Sequence, residues 1–429
     1  MATGLKNNLK GGTTMKRKNK MVVLSGALCL MITLSVLYFG SVNVISAPVK
    51  TVKIGCSAAL NLSWGVDIKD ALELCVDIIN REGGLTVGGE KYKVEMVIYD
   101  DKYRADAGQA AAQRLVNVDR VKAIVGTAAS SAAVGSLPVV QAAGIPLFSS
   151  AHTEKILDPK LKFVYATATA RSVDALYSLI LQAEPKIKTA VLAAQDDETG
   201  HALTEKAMTV LKVYGIKTLD SFYFPRTQRD YTPIATKLAS LKADFFAIPG
   251  FGGAAETTGL MAKALHDSPW RGAWFVTASP VIKDLVGICP RGEADGLYIP
   301  LTDFTTSPEP PKLSLKVRKA FEEKTGAWRE VGPYWTLPLW FFAAAVEKAG
   351  SFDATAIDKA MARLEVETPI GKARMFKRPD LGNMKFVDVM VTPVLSQVRG
   401  GKAAFVKGMT IDEAIKGMEK VYGFKGQWE

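Results

Sequence analysis

From Pro48 onward, short apolar runs alternate with segments in which apolar residues recur at helical spacing. Residues 52–57 form an apolar strand pattern, and residues 67–80 then place Ile68, Ala71, Leu72, Cys75, Ile78 and Ile79 on one helical face. Gly83, Gly84, Gly88 and Gly89 mark a turn before an alternating strand at 93–99. The spacing predicts a helix over 105–116, a strand at 123–125, a helix over 132–142 and a strand at 146–148. The alternation restarts with strands at 189–193, 218–224, 245–248 and 274–277, separated by helices over 199–213, 232–241 and 254–265. Beyond a linker at 305–311, helical segments at 313–324, 337–348 and 356–363 precede strands near 373–376 and 386–391. Strand–helix alternation of this kind predicts an α/β protein of two doubly wound, parallel-sheet domains.

The first 47 residues follow a different pattern. A basic cluster, Lys16-Arg17-Lys18-Asn19-Lys20, leads into an apolar run over 21–40 that ends in small residues before Pro48. This reads as an export signal, with an uncleaved anchor as the alternative, and either places the body of the chain outside the cytoplasm, in the periplasm or its equivalent. Met15 fits the start of such a signal better than Met1. Cys29 follows Leu28 rather than a small residue, which argues against lipid attachment.

About 382 residues follow Ala47, enough for two domains with proper cores. The formal charge of +11 belongs partly to the leader, whose six basic residues face no acid; the remainder carries +5, too little and too dispersed for nucleic acid. Cys56, Cys75 and Cys289 show no metal or redox spacing and read as small core residues, with a Cys56–Cys75 bridge left open.

Ligands of open parallel sheets sit beyond the carboxyl ends of the strands. That rule selects residues 58–64, 126–131, 149–153, 195–199, 249–253 and 278–279. The stretch 126–131 runs from a strand into a helix that begins with small residues and Ser130, a neutral setting for a carboxylate; a serine there capping its own helix is the plain alternative. Thr153, after the neighbouring strand, is expected beside Ser130, so that two hydroxyls and nearby amides share one anion. Trp64 offers a flat wall or a packing residue.

Catalytic chemistry finds little support. The three histidines, His152, His201 and His266, lack ligand spacing, no glycine-framed serine occurs, and Gly11-Gly12-Thr13-Thr14 lacks the lysine of a phosphate loop. Asp100-Asp101 and Asp196-Asp197 read as solvated strand ends. Neither an enzyme, nor a cofactor, nor a metal is expected.

Taken in order, the segments VKIGCSAALNLSWG, ALELCVDIINREGGL, YKVEMVIYDDKYRAD, RVKAIVGTAASSAAVGSLPVVQAAGIPLFSSAHTEKIL and PIGKARMFKRPDLGNMKFV resemble the Leu/Ile/Val-binding proteins, type I periplasmic solute-binding proteins of branched-chain amino-acid importers. The resemblance implies two lobes joined by three crossing strands, with lobe one from 48–167 plus 302–369 and lobe two from 168–301 plus 370–429. It also implies a small-molecule ligand, an ABC-type membrane permease as partner, and a monomer. It carries ligand-carboxylate contacts onto Ser130 and Thr153, backbone contacts onto Ala151 and His152, an aromatic wall onto Trp64, the second-lobe aromatic onto Phe251 and the hinge-side wall near Tyr334.

Two departures bear on the cargo. Thr199 stands where amino-acid binders carry a tyrosine, and Ser279 stands where they carry an acid for the ligand ammonium. The expected function is delivery of a small carboxylate, foremost a branched-chain or other apolar amino acid, to an importer. The alternatives are an ammonium-free aromatic or aliphatic acid, an amide, or a membrane-tethered ligand sensor. Asp197, Glu198 and Glu256 are the acids able to replace the absent one.

Overall fold

The computed structural model describes residues 49–425 apart from 168–169, 251–254, 302, 330, 363 and 380–382. The expected export signal and Phe251 lie outside the described residues. Among the described residues, no helix is long and apolar enough to cross a membrane.

The strands in chain order are β1 (Lys50–Ala58), β2 (Leu85–Val87), β3 (Glu90–Asp100), β4 (Ile124–Val125), β5 (Leu147–Ser149), β6 (Val164–Ala166), β7 (Thr189–Gln195), β8 (Lys217–Phe224), β9 (Phe245–Ile248), β10 (Ala273–Val276), β11 (Leu297–Pro300), β12 (Glu365–Thr368), β13 (Gly371–Arg378), β14 (Asn383–Val391), β15 (Val394–Arg399) and β16 (Lys402–Gly408). They form a nine-stranded sheet, β12-β13-β14-β6-β5-β4-β1-β3-β2, and a seven-stranded sheet, β16-β15-β11-β10-β9-β7-β8. Both are parallel at the centre. β2, β12 and β13 pair antiparallel in the first sheet, and β15 and β16 in the second. The central strands owe their continuous apolar runs to helices on both faces: residues 54–58 of β1 and all of β9 are buried.

One domain boundary needs correction. The stretch from residue 370 onward was expected in the second lobe, yet β13 and β14 belong to the first sheet, β14 pairing parallel with β6. The cause is the turn between β12 and β13, where Thr368 faces Gly371 and its hydroxyl donates to the Gly371 carbonyl, returning the chain along its own sheet. Past residue 370 the chain changes sheet only between Val391 and Val394. There the Leu301 amide donates to the Val394 carbonyl at 2.9 Å, tying two crossing segments together.

Two helices against the first sheet fix the position of residue 130. Helix Ala105–Arg114 and helix Ser130–Ala143 approach so closely that a Cβ on Gly108 would lie 2.5 Å from the Ala132 Cα, and one on Gly135 2.1 Å from the Ala105 carbonyl oxygen. Cys56, Cys75 and Cys289 are buried free thiols, so the Cys56–Cys75 bridge left open above is not formed. Burial pushes the Cys75 thiol up to about 12, which keeps it inert at neutral pH.

Candidate functional site

β4 ends at Val125, and the chain turns through Gly126 into the helix that opens at Ser130. Ala129 occupies the cap position and offers no side-chain acceptor, and no acid lies in the first turn. Neither serine caps this helix: Ser131 donates its hydroxyl to the Tyr103 carbonyl at 2.9 Å, while Ser130 Oγ accepts from the His152 amide at 3.3 Å. A helix start without an internal cap keeps its first N–H groups and its dipole for an outside acceptor. Ser130 is fully buried at that start.

The second sheet meets it directly. β7 ends in Gln195, and Asp197 caps the helix Glu198–Val213 by accepting from the Gly200 amide at 2.8 Å. That cap sets Thr199 facing the first sheet, where its hydroxyl donates to Ser130 Oγ at 2.9 Å. Thr199 Oγ1 also lies 3.0 Å from the Tyr103 hydroxyl.

Thr153 and Ser130 have separate partners. The Thr153 hydroxyl donates to Glu198 Oε1 at 2.9 Å and accepts from the Lys155 amide at 3.3 Å, capping the short helix Glu154–Leu157. The Ala151 amide donates to Ser149 Oγ at 3.1 Å. Of the aromatic positions, Trp64 meets Tyr103 edge to face at 5.8 Å between ring centres. Tyr334 packs at 5.2 Å against Trp335, which in turn meets His152 at 5.8 Å. Ser279 is buried, and its hydroxyl donates to the Pro280 carbonyl at 3.3 Å.

Tyr103 escaped the sequence reading. It sits with Lys102 in a turn where both residues have positive φ, 59° and 51°, a conformation that costs non-glycine residues about 1–3 kcal/mol each. The turn is held locally. Lys102 N–H donates to Asp100, Tyr103 N–H to Asp101, and Arg104 N–H to the Asp101 carbonyl, each at 2.8–2.9 Å. The reading of Asp100-Asp101 as solvated therefore fails for Asp101, which is fully buried. From the second lobe, the Arg226 guanidinium lies 3.9 Å over the Tyr103 ring and is ion-paired with Asp197. Further ties between the lobes among the described residues include the ion pairs of Lys155 with Glu198 at 2.7 Å, Lys206 with Glu154, Arg329 with Asp284 at 3.6 Å and Arg374 with Asp412.

Two buried ionisable groups beneath this surface pull stability in opposite directions with pH. Burial, aided by the Lys206 charge, lowers His152 to about 4, and burial raises Asp101 to about 6. Above pH about 6.5 the imidazole is neutral folded or unfolded. As pH falls towards 4, only the unfolded chain takes up that proton, and up to roughly 3 kcal/mol is lost. Asp101 acts the other way, since between pH about 6 and 4 only the folded chain gains its proton, and a similar amount is recovered. His152→Gln should therefore gain on the wild type by about 3 kcal/mol between pH 6.5 and 4 in urea unfolding. Parallel pH profiles for the two proteins would refute this assignment.

The two α/β halves thus meet beyond the carboxyl ends of their strands, where Ser130, Thr199 and Tyr103 touch. A family model described as periplasmic binding protein matches residues 54–389, and the chain belongs to that family. Among its relatives, the Leu/Ile/Val-binding protein homolog 7 of Brucella suis is 31% identical over 184 residues, 40% of this chain and 45% of the relative. The match thus spans under half the length of that relative. A leucine-binding protein from Thermotoga maritima superposes with a TM-score of 0.70 at 18% identity, covering 84% of this chain and 99% of its own. A solute-binding protein of an ABC transporter from Rhodopseudomonas palustris, solved with benzoate, superposes at 0.66 with 18% identity, covering 83% and 96%. At such identities the likeness establishes the fold, two lobes of type I periplasmic binding protein architecture.

Proposed function

We propose that the chain is an exported solute-binding protein that delivers a small carboxylate to an ABC-type importer. The observation that carries this reading is Ser130, a buried hydroxyl at an uncapped helix start, facing Thr199 of the other lobe across the cleft. A ligand that touches both faces shifts the hinge equilibrium towards closure, and closure is the signal a permease reads. The export signal at the N-terminus, whether cleaved or kept as an anchor, fits work outside the cytoplasm. Trp64, Ala151, His152, Thr153, Phe251, Ser279 and Tyr334 remain the residues proposed around the cargo.

Within that class, the engagement of the candidate counterions favours a cargo without an α-ammonium over an apolar amino acid. Asp197 is committed to its helix cap and to Arg226, and Glu198 to Lys155 and Thr153. Glu256, 63% exposed, pairs with Arg229 at 3.4 Å. An ammonium buried without its countercharge loses about 3–5 kcal/mol, more than a hundredfold in affinity.

A thermal-shift panel of amino acids, aromatic acids, short aliphatic acids and amides tests both statements. A ligand at a hundred times its dissociation constant adds about 2.7 kcal/mol, so a binder is visible. Stabilisation by ammonium-free acids is the expected result. Stabilisation by leucine or valine alone would reverse the preference, and a silent panel would remove the carboxylate reading.

A further inference from the structure

Three hydroxyls stand in line across the cleft, and their proton inventory has one solution. Each hydroxyl has one proton to donate and two lone pairs to accept with. Ser130 Oγ accepts from the His152 amide at 3.3 Å and from the Thr199 hydroxyl at 2.9 Å, which fills its acceptor capacity. Its own proton is what the arrangement leaves to a bound anion. Thr199 has given its proton to Ser130, so in its 3.0 Å contact with Tyr103 it must accept. Tyr103 is therefore the donor at the far end. Burial, followed by the Asp197 charge, pushes its phenol well above the ordinary value, so that proton stays on the oxygen at neutral pH.

We propose that Tyr103 is a positioning residue for the cargo, the head of a donor relay Tyr103–Thr199–Ser130 that crosses from one lobe to the other and back and ends on an anionic oxygen of the ligand. The inference rests on the reading of Ser130 as the carboxylate site and names how that site discriminates. Hydrogen bonds in a chain polarise one another, so each donor upstream strengthens the last one, and an ionised acceptor gains about twice what a neutral one does. The line also requires the lobes to be together, because Thr199 comes from the second sheet while Tyr103 and Ser130 come from the first. Closure and charge recognition are then one event.

The surroundings of Tyr103 fit that task. Two consecutive non-glycine residues are held at positive φ by Asp100, Asp101 and the hydroxyl of Ser131, the residue next to Ser130. Strain kept in place by several specific bonds marks a side chain whose aim matters. Arg226 fixes the ring from the opposite lobe at 3.9 Å, and Trp64 from the side at 5.8 Å.

The test uses three acid–amide pairs as probes: L-leucine and L-leucinamide, 4-methylpentanoate and its amide, benzoate and benzamide. Each is titrated by calorimetry against the wild type, Tyr103→Phe, Thr199→Val and the double variant. Phenylalanine keeps the ring and its guanidinium contact and removes only the hydroxyl, so melting temperature should hardly move. The expected result is a roughly tenfold loss of affinity for the acid that binds, little change for its amide, the same loss in Thr199→Val, and no further loss in the double variant. Equal losses for acid and amide, additive losses, or an unchanged acid affinity in Tyr103→Phe would overturn the relay while leaving Ser130 as the anion site. A wild type that binds none of the six probes would overturn the carboxylate reading and the relay with it.

Discussion

Leucine in place of Gly135 is expected to cost the protein about 4 kcal/mol or more, a large share of the ~5–15 kcal/mol that holds a typical domain together. The added side chain would begin 2.1 Å from the Ala105 carbonyl oxygen, and that atom is backbone at a helix start, so the clash cannot be relieved by turning a rotamer. The two helices would have to separate, opening Ala132, Ala133 and Ala112, all buried in their seam, to water. Thermal unfolding checks this, with a fall of roughly 10 °C expected. Gly144 supplies the comparison: at φ 65° with nothing within 4 Å of its Cβ position, alanine there should cost only about 1 kcal/mol. Equal melting points for the two variants would mean that helix Ser130–Ala143 is not fixed by this seam.

The second large effect falls on binding. On the proposed reading, Ser130→Ala deletes a hydrogen bond to a charged ligand, worth about 1.5–3 kcal/mol, and leaves the His152 amide and the Thr199 hydroxyl facing a methyl group. A loss of about a hundredfold in affinity for the acid that stabilises the wild type is expected in calorimetric titration, with the melting temperature of the free protein changed far less. Alanine fits the position, since it already occupies 128, 129, 132 and 133 around it. Retained affinity in Ser130→Ala would move the anion site elsewhere in the cleft.

How far the sequence spoke for itself depended on the length of each signal. The long helices and the buried parallel strands were legible because periodicity accumulates over ten or more residues, as in helix Ser63–Arg81. Short elements were lost. β2 spans only Leu85–Val87 between glycine pairs and read as a turn, although Gly88-Gly89 is a common hairpin pair. Helix Ile411–Tyr422 carried a readable signature in Thr410 and Glu413, which form a capping box. The boundary at 370 failed because pairing partners are not written in local spacing.

The site divided in the same way. Ser130 and Thr199 follow from the rule that ligands gather beyond strand ends, and the structure brings them into contact. Tyr103 obeys that rule too, lying three residues past β3, but its neighbours Asp100 and Asp101 resembled solvated charge. Nothing local signals that Asp101 turns inward to hold a strained amide. Arg226 lies two residues past β8, and only the approach of the lobes gives it a ring to cover.

Two of the ion pairs that span the cleft join groups in contact with water: Lys155 and Glu198 are 62% and 30% exposed, Arg329 and Asp284 37% and 45%. Mobile ions shield such attractions beyond about 8 Å in physiological saline and beyond about 3 Å at molar strength. The hydroxyl line inside is sheltered from that shielding. A rise in external salinity would thus loosen the outer fastening while leaving the inner grip intact, making the medium itself a control on how long the jaws stay shut.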